Sequence, residues 1–440
     1  MSRSRPYRYT DVKRINADSV LAGRDGQAAV LGVDVGKSTL ALVLWWKLED
    51  FESPWLAQNP GEIGLVVQLV KRLAQGRSFA VAVESSGTYG DALRQALSDA
   101  KIEVKRVSSK ASHDYAEIFD GVPSQHDGKD AAVIAELCGT GKATLWPWRE
   151  DQAWEQEMQQ RLEEFETLRE MAQIRYGQLE ARLARHWPES LAIVRPSSMA
   201  LVRALEYYGG PGALAQDKQA ADRLQKWGGW HLARPKIQAL VESAGRTAGV
   251  RQTEWDRRSL KRLSRNIRRL KGRMRRHRRR VLELSRGKQK IQAMGQVVGV
   301  MTACVLWVCL GDPADYGCAA AYRKAMGLNL AERSSGQYQG QLKISKRGER
   351  MTRRWMYLAA LREVRGSERV RGWYGRKRLR MAGAWHGSAG RKPRPGVGAV
   401  VAVMRKLALA IHAVATQGSA YDVRRLFKTA QKKVATAKTP

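Results

Sequence analysis

The sequence predicts a multidomain α/β plus α chain: an N-terminal α/β domain, a long helical coiled-coil hairpin and a mostly helical C-terminal domain. Three observations predict it. Short apolar strand-like runs alternate with helical spacing up to about residue 140. Two long segments, opening near Trp154 and Gln252, repeat apolar residues at steps of three and four. The charge is divided unevenly. Residues 1–148 hold 18 Lys+Arg and 18 Asp+Glu, residues 149–250 hold 14 and 14, and residues 251–440 hold 46 against 10. The whole formal excess of +36 therefore falls in the last segment. The expected divisions are a basic arm at 1–28, the α/β domain at 29–148, the helical hairpin at 149–290, a further domain at 291–425 and a basic tail at 426–440.

The elements follow in order. AAVLGVDVGKSTLALVLWW reads as two buried strands joined at a Gly turn, a hairpin. Ile63–Leu73 has helical spacing, Phe79–Val83 is a short buried strand ending at Glu84, and Tyr89–Leu97 is helical. Ile102–Val107 is a strand, and Asp130–Cys138 lies on a helix. In the first long helix Met158, Leu162, Phe165, Leu168 and Ala172 recur until Pro188 ends the run. GGPG and WGGW break residues 195–250 into short helices. Leu260, Leu263, Ile267, Leu270, Met274, His277, Val281 and Leu284 form a heptad seam in the second long helix. Its 14 Lys/Arg between Arg257 and Arg280 face an acidic first helix, which favours pairing within a chain or between chains. An apolar helix at Val297–Leu310, a Gly-rich loop, a helix around Met351–Arg362, the basic aromatic stretch RVRGWYGRKRLR and an apolar helix at Val397–Ala415 complete the chain.

Composition excludes several classes. A hydrophobic share of 43% supports buried cores, and a pI near 10.5 points to a polyanion, nucleic acid before membrane. The run Val297–Leu310 is short of the ~20 residues of a spanning helix, so no membrane partner is expected. MSRSRPYRYT has no apolar stretch behind it, so no signal peptide is read. Four cysteines without a CxxC pair suit a reducing cytoplasm and argue against a zinc site.

Asp34 and Glu84 end predicted strands, and Asp127 and Asp130 sit three apart at a helix start, facing one side. Such hard oxygen donors suit Mg²⁺, and a pair of ions could clamp both oxygens of a phosphodiester displacement. Singly, each acid is better explained by a turn or a cap; all four, in this order and on these elements, favour the metal site. GKST at Gly36–Thr39 lacks the earlier glycine of a phosphate loop (position 31 is Leu31), and a strand follows where a helix is needed. Ser334 and Ser335 precede Gly336 in a loop carrying Arg333, Lys343, Lys346, Arg347 and Arg350. Cations there could neutralise a phosphate under attack, but spacing alone favours a solvent turn. Arg268, Arg269, Lys271, Arg275 and Arg276 represent the cationic helix, read as phosphate-binding. Trp373 and Tyr374 beside Arg376 and Arg378 read equally as a base-stacking segment or as a flexible basic loop. His126 is a surface or supporting histidine, and His277 a polar residue setting register.

LGVDVGKS, VAVESSG and HDGKDAAVIAEL resemble the three acidic motifs of the DEDD transposases of the IS-one-ten insertion-sequence family, relatives of the Piv and MooV invertases. VVGVMTACVLWVCL, AYRKAMGLNL, ERSSGQYQGQ and KISKRGERMTRR resemble that family's C-terminal transposase domain. The likeness covers roughly residues 29–425. Gln125-His126 stands where the family carries Lys-Thr, and Glu349-Arg350 where it carries Gly-Asn. The resemblance implies a RuvC-like, RNase H-type N-terminal domain in which Asp34, Glu84, Asp127 and Asp130 bind Mg²⁺. It implies that Ser335 is the nucleophile of a covalent phosphoserine link to DNA, with the acids and the serine meeting across subunits. It further implies donor and target DNA as partners, a noncoding bridge RNA, a dimer or tetramer built through the coiled coil, and a prokaryotic, cytoplasmic, nucleoid-associated enzyme. The rival readings are a RuvC-like junction endonuclease using metal-activated water and a non-enzymatic RNA-binding protein.

Overall fold

The computed structural model describes residues 9–84, 87–121, 126–146, 148, 152–332, 343–383 and 395–428. The chain divides into two compact units, residues 1–150 and 151–440.

The strands of the first unit are β1 (Thr10–Asp11), β2 (Ala29–Val35), β3 (Thr39–Lys47), β4 (Asp50–Phe51), β5 (Trp55–Gln58), β6 (Phe79–Glu84), β7 (Val104–Val107) and β8 (Thr144–Leu145). Its helices are α1 (Ala17–Leu21), α2 (Ile63–Leu73), α3 (Asp91–Asp99), α4 (Ser109–Asp120) and α5 (Asp127–Gly139). The sheet order is β1-β5-β3-β2-β6-β7-β8, with β4 on β3. The pairs β2/β3 and β3/β5 are antiparallel, whereas β2/β6 and β6/β7 are parallel. The sheet is thus an antiparallel meander extended by parallel strands, with α2 and α3 in the crossovers. Gly36 N–H bonds the Thr39 carbonyl at 2.9 Å. GKST is therefore the hairpin turn between β2 and β3, and no helix follows it.

Side-chain alternation gives the sheet two buried faces. Leu31, Val33 and Val35 pack with Val66 and Val70 of α2 and with Leu93 and Leu97 of α3. Val30 and Ala82, on the other face, pack with Val133, Ile134 and Ala135 of α5. Helix α5 comes unusually close. A Cβ on Gly32 would lie 2.1 Å from the Ala131 carbonyl oxygen, and one on Gly139 would lie 2.2 Å from the Trp45 ring. Residues 1–28 were expected as an arm, yet the described part is folded on. Thr10 and Asp11 pair with β5, Val12 is buried, and Arg24 holds Asp50 through two bonds of 2.6 and 3.0 Å.

The second unit opens with α6 (Ala153–His186), α7 (Pro188–Ile193), α8 (Met199–Tyr208), α9 (Pro211–Gln216), α10 (Ala220–Gly228), α11 (Arg234–Gly245) and α12 (Glu254–Leu284). Helices α6 and α12 run antiparallel. Glu157 meets Arg280 at 2.7 Å, Glu164 meets His277 at 3.0 Å, and His186 lies 3.7 Å from Asp256 at the far end. Thr253 starts α12 with a reciprocal cap to Asp256. Helices α7–α11 bury a core of their own around Trp187, Leu201, Leu205, Leu224 and Leu240, against Leu260, Leu263 and Ile267 of α12.

The rest comprises α13 (Gln289–Val298), α14 (Val300–Leu310), α15 (Ala319–Ala325), the hairpin β9 (Leu330–Ala331) with β10 (Lys343–Ile344), α16 (Arg350–Gly366), α17 (Glu368–Gly383), α18 (Pro395–Gln417) and α19 (Val423–Leu426). The single apolar helix expected at Val297–Leu310 is instead split. Gly299, at φ +77°, breaks it, and α13 and α14 bend by 120°. Arg362 donates to the Val298 carbonyl at that corner. RVRGWYGRKRLR lies on helix α17 and not in a loop. Helix α18 is long and apolar enough to cross a membrane by length and composition alone. Its Val403, Met404, Leu407, Ala408 and Ile411 are buried in the core of this unit.

Candidate active site

The register of two neighbouring strands begins the site. Parallel β2 and β6 align Val33 with Val83, which sets Asp34 and Glu84 one step further along at adjacent strand ends. Parity puts both on the face that α5 covers, as Val30 and Ala82 show. Asp34 is paired in register with Ala41 of β3. Small residues at Gly32, Ala41, Ala131 and Ala132 let α5 lie directly on the strands. Asp127 opens α5, and Asp130 follows one turn on. His126 caps the helix, its Nδ1 accepting from Lys129 N–H at 3.1 Å.

Burial and neighbouring charge together shape the titration of two of the acids. Burial pushes the Asp34 carboxyl up to about 6, and Asp127, Asp130 and Glu84 add to the rise in that order. Burial likewise raises Asp130, followed by Glu84 and Asp127. Lys129 is buried but bonded to Asp120 at 2.6 Å. Glu84 accepts from Ser112 Oγ at 2.6 Å.

Two supporting residues escaped sequence reasoning. Ser112 carries no motif. Tyr9 stands 119 positions before Gly128, and its hydroxyl accepts from the Gly128 N–H at 2.9 Å between the two helix acids. Burial first, and then Asp127, Asp34 and Asp130, push its phenol up.

Carboxylate oxygens at strand ends and a helix start are the donors a hard divalent cation takes. Among the described residues, however, no three His, Cys, Asp or Glu side chains converge closely enough to hold a metal ion. Asp34 and Asp130 feel the charge of the other acids, but the carboxylates do not meet at one point. The donor chemistry fits the ion; binding it requires the acids to draw together.

Arg333, Ser334, Ser335 and Gly336 lie outside the described residues. The flanking hairpin is described. Lys343 is exposed on β10, and Lys346 and Arg347 are exposed at the following turn. Lys346 adopts φ +56°, and its N–H bonds the Gly327 carbonyl at 3.1 Å. A Cβ on Gly348 would strike the Ala325 carbonyl at 2.2 Å, so this basic turn is docked hard against Met326-Gly327.

The predicted nucleic-acid residues separate. Arg268 is held by Glu206 at 2.6 and 3.0 Å, and Lys271 covers the Tyr176 ring at 5.5 Å. Arg269, Arg275 and Arg276 line a cleft with Arg203. Trp373 is not an open stacking platform: it meets Phe427 edge-on at 5.4 Å, and Lys406 lies 5.4 Å over its ring. Tyr374 also packs against the core. Arg376 donates to the Lys428 carbonyl at 3.4 Å, while Arg378 is exposed. The apolar face of α17 used these rings for packing, a role that a mixed basic and aromatic string does not reveal.

A family model described as DEDD transposase of the IS110 type matches residues 31–188, the span that carries all four acids. A second, described as "Transposase IS116/IS110/IS902 family", matches residues 294–375. The two together take in more than half of the chain.

The chain belongs to the IS110 family of transposases.

No curated protein matches the transposase. The solved structure of "T. thermophilus RuvC in complex with Holliday junction substrate" matches at 16% identity over 27% of this chain and 99% of its own, with a TM-score of 0.22. Membership makes the protein an enzyme that cuts and rejoins DNA, and makes DNA its partner.

Proposed function

We propose that this transposase cuts and rejoins DNA through a covalent bond to Ser335, with Mg²⁺ held by Asp34, Glu84, Asp127 and Asp130 and a noncoding bridge RNA choosing donor and target. The placement of Asp34 and Glu84 at adjacent strand ends on the face covered by α5, with Asp34 and Asp130 both raised by burial and by neighbouring carboxylates, is the observation that supports it best. Buried carboxylates that raise one another's proton affinity favour a proton or a metal ion among them. When bound, the ion would act as a Lewis acid on the phosphate.

The protein's own groups do the rest. Ser112 and Tyr9 orient Glu84 and the start of α5. Ser335 Oγ gives up its proton and forms the O–P bond as the P–O3′ bond breaks, and the 3′ oxygen leaves as a hydroxyl with a proton. Reversal onto a new 3′ hydroxyl restores the serine, so bond energy is conserved. Arg333, Lys343, Lys346 and Arg347 neutralise the phosphate. We read α6 and α12 as a coiled coil that joins copies into a dimer or tetramer, which lets acids of one subunit serve the serine of another. The excess of cations beyond residue 250 supports an RNA partner in addition to DNA.

The test is a denaturing gel of the transposase with end-labelled DNA, candidate RNA and Mg²⁺. A covalent band that Ser335→Ala abolishes and chelation prevents is expected. Strand cleavage without any such band points to the water-using endonuclease; adduct retained by Ser335→Ala but lost in Ser334→Ala moves the role to Ser334. Nucleic-acid binding with no strand chemistry leaves the RNA-binding reading.

A further inference from the structure

Residues 189–293 fall between the two family matches. They contain the short helices α8–α11, α7 apart from its first residue, and all of α12. Glu206 of α8 receives Arg268 at 2.6 Å and Arg265 at 3.5 Å, which ties α8 onto α12. Beside this tie lies an open cavity of about 370 Å³, lined by Arg203 of α8 and by Arg268, Arg269, Arg273, Arg275 and Arg276 of α12.

The pairing of arginines along α12 is uneven. At its start, Arg257 and Arg258 are bonded to Glu254. Towards its end, Arg279 meets Glu283 and Arg280 meets Glu157. Among the described residues, Arg203, Arg269, Arg273, Arg275 and Arg276 have no carboxylate partner. Guanidinium groups crowded around one cavity repel one another, so the middle of the helix carries a cost that its ends do not.

Gly272 also lines the cavity, the one residue there without a side chain. A glycine inside a long helix is destabilising relative to alanine, and space does not demand it here. An added Cβ would meet only Arg276 Nη1, at an ordinary 3.9 Å. What the bare backbone does permit is close approach from outside.

We propose that this cleft between α8 and α12 binds consecutive phosphates of a nucleic-acid backbone, with the unpaired arginines as forks and Gly272 as the surface of closest approach. The proposal rests on the reading of the chain as a nucleic-acid enzyme, but on neither the serine nor the metal. Guanidinium forks match phosphate oxygens two at a time. The tertiary fold adds to the cationic helix a second wall, Arg203, that lies on another element.

The test uses full-length Ser335→Ala protein in EDTA, so a failure of the cleavage chemistry leaves the readout untouched. Binding of a labelled DNA duplex and of a labelled RNA hairpin is measured by anisotropy across a salt series. The double variant Arg275→Gln/Arg276→Gln should lower the slope of log affinity against log salt by roughly 1.8 for duplex DNA, about 0.9 per lost phosphate contact. Arg257→Gln/Arg258→Gln, the same charge change outside the cleft, should lower it by less than half as much. Gly272→Ala should weaken binding several-fold while the melting temperature holds or rises. Inorganic pyrophosphate should compete. The probe that carries the slope change, duplex or hairpin, identifies the source of the phosphates. Equal losses in both double variants, unchanged affinity in Gly272→Ala, or displacement by polyglutamate but not by pyrophosphate would overturn the cleft.

Discussion

Gly32→Ala tests the packing that assembles the acids. A Cβ at this position would sit 2.1 Å from the Ala131 carbonyl oxygen, 2.6 Å from Ala135 N and 2.8 Å from Ala135 Cβ. Two of the three are backbone atoms of α5, and all are buried, so no side chain can swing aside. Restoring ordinary contact requires α5 to retreat from β2 by roughly 1 Å. Overpacking of this kind costs about 1–3 kcal/mol. For a unit of this size each kcal/mol lowers the melting temperature by about 2–4 °C. Asp127 and Asp130 ride on α5 and withdraw from Asp34. Strand exchange should fall on the order of 100-fold, the usual result of a misplacement near 1 Å. The Asp34 carboxyl, held at about 6, should titrate lower because two of its neighbours recede. Calorimetry, a carboxyl-resolved NMR titration and a strand-exchange assay read the three effects. Gly64→Ala is the control, since Gly64 is exposed on α2 with nothing within 4 Å of an added Cβ. A Gly32→Ala protein that melts normally while Asp34 still titrates near 6 would refute the claim that this contact sets the site.

Two further outcomes follow from the same physics. Asp34 holds its proton more tightly in the folded protein, at about 6 against an ordinary 3.8, so that stabilisation is full below pH ~4 and lost as the pH rises through 6. Asp34→Asn should therefore stabilise the metal-free protein above pH 6 by about 1 kcal/mol, a figure discounted for the partial exposure of the carboxyl. The gain should disappear below pH ~4; a melting difference that is flat across this range contradicts the crowding of acids. Glu166 accepts from Trp355 Nε1 at 2.9 Å and Arg169 at 2.8 Å, and also from half-buried Arg354. Glu166→Ala should cost about 2 kcal/mol by stranding these donors, with Glu166→Gln recovering part, as read by urea denaturation. Equal midpoints for Glu166→Ala and wild type would remove α16 from the list of elements that α6 anchors.

The amino-acid sequence by itself determined a good deal. Strand alternation and heptad spacing placed β2, β3, β6, α2, α6 and α12 within a few residues, because burial periodicity is local. The order of acids along the chain and the partition of charge were legible because both are properties of position alone. The tertiary structure decided what depends on neighbours distant in the chain. Whether Asp34 and Glu84 share a face with Asp127 and Asp130 follows from strand register and from the bare backbone at Gly32. That Tyr9 caps the acids depends on β1 joining β5. A positive φ at Gly299 cuts one apparent apolar helix into two, since composition cannot report a backbone angle. Trp373 was spent on the core by Phe427, a partner 54 residues later in the chain. Glu254 and Glu283 reach arginines one turn away on the same helix, as helical spacing alone allows; only packing brings Glu157 to Arg280 and Glu206 to Arg268 and leaves Arg203 beside the open middle of the helix. Charge is written residue by residue, but its neutralisation is written in space.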